Sequence, residues 1–137
     1  MVQLERTGSI NITFEPKKTT IVRLSLKSKV QDYWKRPDLG IGDGDVKISG
    51  NKITVTVHSL GSIDTPPATI GLVDKSGKQL AAASVIALKA PVDLKPKTTG
   101  ITFEVPAGIN LRGCKVVIDP EKKLREITRL NNTVVIK

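Results

Sequence analysis

Lys52-Ile53-Thr54-Val55-Thr56-Val57-His58-Ser59-Leu60-Gly61 is the stretch around which the 137-residue chain is read. Ile53, Val55 and Val57 fall on one face and Lys52, Thr54, Thr56 and His58 on the other. This period of two, built mostly from β-branched residues, predicts a half-buried strand near the centre of a sheet.

Outward from it, the chain offers further short strands and no helical apolar stripe. Val46 and Ile48 follow the turn Gly42-Asp43-Gly44-Asp45. Strands are then expected over 69–74, 79–87, 98–105, 115–118 and 133–136, with Gly, Pro and Asp between them. Seven such strands over about a hundred residues argue for an all-β, immunoglobulin-like Greek-key β-sandwich. Its expected inner residues include Ile53, Val55, Val57, Ile70, Leu72, Ile101, Phe103, Val116 and Ile118. Upstream, Ile10, Ile12 and Phe14 alternate, as do Val22, Leu24 and Leu26, with Glu15-Pro16-Lys17-Lys18 as the turn between them. That is an extra N-terminal β-hairpin with one apolar face, and two strands alone are marginal in water. The division read from this is a hairpin over 1–30, a remnant of an upstream β domain, then a linker over 31–36 and a module over 37–137. The hairpin also weakly resembles the closing strands of a glycoside hydrolase or polysaccharide lyase β-sandwich domain.

The only aromatics are Phe14, Tyr33, Trp34 and Phe103, so the core has to be aliphatic. Tyr33-Trp34 reads as a cap on the end of the adjoining core; the alternative use is a ligand contact, a platform on which a sugar stacks. The net charge of +9 is spread along the chain, with short clusters at Lys17-Lys18, Lys35-Arg36 and Lys122-Lys123-Leu124-Arg125. No aromatics interleave with these clusters, which counts against a single-strand nucleic-acid groove, and no nucleic-acid partner is expected. A solvated surface is the plain reading, and an anionic or cell-surface polysaccharide is the partner the charge would suit.

Cys114 is single and reads as a small buried hydrophobe. No apolar run reaches the roughly 18 residues of a membrane span, so no membrane insertion is expected. His58 is the only histidine, and neighbouring Ser59 points to the opposite face of the strand, so no nucleophile and base pair up. Named catalytic motifs and cofactor loops are absent, and a non-enzyme without cofactors is expected. Asp43 and Asp45, with Asp38 nearby, are weak candidates for a calcium-binding loop; a plain turn explains the same residues.

The end of the chain carries the most specific pattern: Val116-Val117-Ile118-Asp119-Pro120, then Leu124-Arg125-Glu126-Ile127, then Leu130-Asn131-Asn132-Thr133. Together with Arg36-Pro37-Asp38-Leu39 and Val55-Thr56-Val57-His58-Ser59-Leu60-Gly61, it resembles CARDB, the cell-adhesion-related domain of bacteria, over residues 36–137. Asp119, Glu126, Asn131 and Asn132 fall on that family's final motif, while Ser59 stands where the family prefers Asn. Glu126 and the Asn pair are expected to hydrogen-bond the backbone of a hairpin corner. The resemblance implies a non-catalytic accessory module, a spacer or adhesion domain, in a larger secreted or cell-surface prokaryotic protein. Its location would be extracellular, at the cell surface or periplasmic. A carbohydrate-binding accessory domain favouring acidic glycans is the alternative.

Overall fold

The computed structural model describes residues 34–137 together with Thr13, Pro16, Lys17 and Thr19. Two compact units divide the chain, Met1–Gln31 and Asp32–Lys137. The expected N-terminal hairpin and Tyr33 lie outside the described residues.

The eight residues of β3, Lys52–Ser59, bury every second side chain as the alternation requires. Ile53, Val55 and Val57 are fully buried. Each contributes on the order of 1.5–3 kcal/mol relative to an exposed position. Antiparallel to β3 lies β6, Thr98–Glu104, whose residues pair with 52–58 without a break. One edge of β3 is thereby fully used, and the opposite edge is shared by two short strands. β1, Leu39–Gly40, pairs with Ser59 and His58, while β2, Val46–Ser49, pairs with residues 52–55. A single 3-10 turn over Asp43–Asp45 carries the chain between them.

The second sheet has the order β5-β4-β7-β8 and is antiparallel throughout. Its strands are β4 (Ala68–Val73), β5 (Gln79–Val85), β7 (Lys115–Ile118) and β8 (Thr133–Val135). The chain crosses from the first sheet to the second after β3, returns after β5 and crosses again after β6, which is the immunoglobulin-like Greek-key sandwich. Ile70, Leu72, Val116 and Ile118 meet the inner face of β3 in one aliphatic core, joined by Phe103 and Cys114. Ile101, expected inside, is only half-buried because β6 is an edge strand. β1 is the strand that periodicity missed: two residues are too few to show alternation.

β3, β5 and β7 run toward one end of the sandwich, and β4, β6 and β8 start from it. Loops 60–67, 86–97 and 119–132 therefore gather there, beside the segment that leads into β1.

Candidate functional site

The densest polar cluster of the described residues lies at that end, where the 119–132 loop folds over β1. β7 stops at Ile118, and Asp119 takes a left-handed φ of 48°, which Asp tolerates better than most residues. Its buried carboxylate accepts the backbone N–H groups of Lys123 at 3.0 Å and Leu124 at 2.8 Å, closing the turn from inside. The Arg129 guanidinium then donates to Asp119 Oδ2 at 2.9 Å and to the carbonyl of Leu124. It also faces Glu126 Oε2 at 3.5 Å.

Glu126, whose side chain is fully buried, accepts from the Leu39 backbone N–H at 3.1 Å and from Asn132 Nδ2 at 2.6 Å. Buried Asp38 accepts the Thr128 N–H and Asn131 Nδ2, each at 3.2 Å. Backbone bonds run alongside: Ile127 N–H to Pro37 O and Ile41 N–H to Asn131 O. Burial pushes the Glu126 carboxyl above its ordinary value, more than the hydrogen bonds from Leu39 and Asn132 and the charge of Arg129 pull it down.

Sequence reasoning expected Glu126 and the Asn pair to serve a local hairpin corner. The structure corrects the range of that role for two of the three: Glu126 reaches the Leu39 N–H and Asn131 reaches Asp38, both far away at the start of the module, while Asn132 bonds Glu126 within the loop. Arg129 was the member missed, and it bonds within its own loop. Asp38 reads in the sequence only as part of the opening motif and as a neighbour of the acidic turn, and the meeting of β1 with the last loop is what brings it here. The corner holds carboxylates, amides and a guanidinium but no nucleophile paired with a base. Its chemistry is that of a staple joining the first strand to the last loop.

The acidic turn does not converge as a cation loop. Asp45 Oδ2 accepts the Gly42 N–H at 2.7 Å, and Oδ1 meets His58 Nε2 at 2.9 Å. Burial raises the Asp45 carboxyl, but the bonds from His58 and Gly42 outweigh it and hold the group below the ordinary carboxylate range. Asp43 pairs with Lys137 Nζ at 2.8 Å, and Asp38 belongs to the corner. Among the described residues no group of three or more His, Cys, Asp or Glu is placed to hold a metal ion. Ser59 is buried on the inner face while His58 faces outward, as the strand period requires.

Trp34 was expected to cap the core and instead stands 65% exposed. Its carbonyl accepts the Ser62 hydroxyl, so backbone is held there and the indole is left in solvent.

At the opposite end, the turn after β4 and the loop before β7 enclose a cleft of about 480 Å³. Leu80, Ile109 and Cys114 line it together with the polar residues Asp74, Lys75, Ser76, Asn110 and Arg112. Gly113, at φ 83°, lies directly under the Lys75 side chain: a Cβ there would sit 2.4 Å from Lys75 Cε.

No family model matches the chain, and no curated protein does. Solved structures do. A domain of a protein from Methanosarcina acetivorans, provisionally described as a cell surface protein, is similar at a TM-score of 0.56 and 22% identity, covering 73% of this chain and 88% of that one. The CARDB domain of a Pyrococcus furiosus protein, solved in complex with di-metal ions, is similar at a TM-score of 0.54 and 20% identity, covering 72% and 88%. The fold is thus the CARDB-like, immunoglobulin-like sandwich that the terminal motif implied. These neighbours are a CARDB domain and a domain of a cell-surface type, and no helix of the described residues is long and apolar enough to cross a membrane.

Proposed function

We propose that this chain is a non-catalytic accessory module, a spacer or adhesion-type unit within a larger secreted or cell-surface protein. The observation that carries the reading is the path of the chain through the sandwich. Residues 36–38 enter at the end where β3 finishes, while β8 runs away from that end and leads to Lys137, next to the bond from Gly113 N–H to Ile136 O. A module entered at one end and left at the other extends a protein along its axis, and the buried staple to β1 resists detachment of the entry strand. Two copies of residues 34–137 joined in tandem should scatter X-rays as an elongated particle about twice as long as one copy. A tandem that folds side by side contradicts the spacer geometry. Catalysis is tested separately: polysaccharide turnover that disappears in His58→Ala would overturn the non-catalytic reading.

The cleft beside Lys75 and Arg112 favours one second reading, an accessory domain that holds an acidic glycan. Two cations next to an apolar floor suit a uronic-acid residue, and the one carboxylate in the lining, Asp74, is turned onto Ser76 and the Lys78 N–H. Binding should be weak and should fall as salt is raised. Tight, salt-insensitive binding of a neutral sugar would contradict it.

Among the described residues, the three buried carboxylates of the corner are engaged by Arg129, by backbone N–H groups and by Asn amides rather than left open toward a cation.

A further inference from the structure

Large apolar side chains left exposed by the described residues are unevenly placed. All except Ile48 and Val135 lie at the end of the sandwich where loops 60–67, 86–97 and 119–132 gather. Leu60 and Ile63 belong to the first loop, Ile86, Val92 and Leu94 to the second and Leu130 to the third, with Trp34 on the entry segment.

These loops are tied to one another. Thr65 bridges to Leu88 in both directions, and Asp64 accepts the Ala90 N–H at 2.8 Å and Lys89 Nζ at 2.7 Å. Ser59 N–H donates to Lys97 O, and the Leu60 and Asn131 side chains lie together over Gly40.

The 86–97 loop is built to project its tip. Leu94 N–H closes a turn on Pro91 O at 3.0 Å, and Leu94 itself holds a left-handed φ of 59°, an unfavourable conformation for a leucine. Asp93, between the two apolar residues, is turned back onto Lys97 Nζ at 2.7 Å and the Lys95 N–H at 3.2 Å. Val92 is left 79% exposed and Leu94 94% exposed, while Leu130 stands at 95% on the neighbouring loop.

We propose that this end of the sandwich docks peripherally on an anionic lipid surface, a role beyond that of a spacer. Charge complementarity argues for this occupant. Lys95, Lys122 and Arg125 are exposed on the loops that carry the apolar tips and make no ion pair among the described residues, whereas Lys89 and Lys123 pair with the exposed acids Asp64 and Glu121, and Asp93 pairs with Lys97. Shape argues the same way. Nearly naked aliphatic knobs separated by cations match the boundary between acyl chains and headgroups, where the knobs sink and the lysines meet phosphates. Protein hot spots instead favour aromatic and Arg anchors in a packed patch, and the side chains that stand furthest into solvent here are Val92, Leu94 and Leu130, more exposed than Trp34.

The test uses the full chain with vesicles of phosphatidylcholine alone or mixed equally with phosphatidylglycerol, read by co-sedimentation and by the emission of Trp34. Binding is expected on the mixed vesicles, weaker on phosphatidylcholine and reduced by salt. A Val92→Ser, Leu94→Ser double variant with an unchanged melting temperature should bind the mixed vesicles about tenfold more weakly or worse. No binding to the mixed vesicles, or binding that the double variant leaves intact, overturns the proposal. So does self-association of the chain that the double variant abolishes in the absence of vesicle binding.

Discussion

The Glu126 carboxylate accepts a hydrogen bond from the backbone N–H of Leu39 at 3.1 Å across 87 positions of sequence. The same carboxylate holds Asn132 on its other oxygen, so one buried side chain joins β1, the last loop and the start of β8. Removing it leaves the Leu39 N–H and the Asn132 amide buried without an acceptor and strands Arg129 beside a gap. Glu126→Ala is expected to cost about 2–4 kcal/mol, since each orphaned buried donor costs roughly 1–3 kcal/mol. Urea unfolding checks it, with a lower midpoint and an unchanged slope as the expected result.

The pH dependence follows from the same residue. The Glu126 carboxyl is raised above its ordinary 4.5 by burial. Between that value and the raised one the folded chain holds a proton that the unfolded chain has released, so stability falls as pH rises through the window. Exposed Asp64 and Asp93 and half-buried Asp74 act in the opposite sense. Hydrogen bonds from Lys89, Ser76 and Lys97 respectively hold them below 3.8, so what they contribute is present above that value and lost as pH falls. Melting curves across mildly acidic pH should show the Glu126 slope in the native chain and lose it in Glu126→Gln, while the acid limb stays in both.

Gly61 is a packing requirement. A Cβ there would stand 2.5 Å from the Asp38 backbone N and 2.7 Å from the Arg36 carbonyl oxygen, backbone atoms that cannot swing away. Gly61→Ala should therefore destabilise by about 2–3 kcal/mol through overpacking. Gly100, on the edge strand β6, has nothing within 4 Å of the same atom. Gly100→Ala is the matched control, and its midpoint should stay close to that of the native chain.

The core and the boundary are tested by two simpler changes. Val55→Asp would bury an unpaired charge at a fully buried position and should leave little folded protein. A chain of residues 34–137 should melt within a few degrees of the full chain, because it contains the aliphatic core and the staple of the described residues. Failure of that shorter chain to fold would show that residues 1–33 are integral to the module.

Much of the fold was legible in the residues because β3, β4, β6 and β7 each carry a visible period of two or a short apolar run. The register of Val55 in the core needed nothing further. β1 escaped because two residues have no period, and the corner was half read: Asp119, Glu126, Asn131 and Asn132 stood out as a motif, but their partners Asp38 and Leu39 are far away in sequence. Trp34 was misjudged because an aromatic beside a domain boundary usually finds cover, whereas here the Ser62 bond fixes the backbone alone. The exposed tip at Val92 and Leu94 was not legible at all. Apolar residues in a Pro-rich loop look the same in sequence whether they turn inward, as Leu88 does, or outward.

Native-state hydrogen exchange at the Leu39 amide tests the central claim, that a buried staple closes the module, most directly. With Glu126 as its acceptor, this amide should exchange with core-like protection comparable to Val55 and Val57 in β3, although it sits in a two-residue strand, and the protection should vanish in Glu126→Ala. Exchange of the Leu39 amide at the rate of an open loop in the native chain would contradict the account.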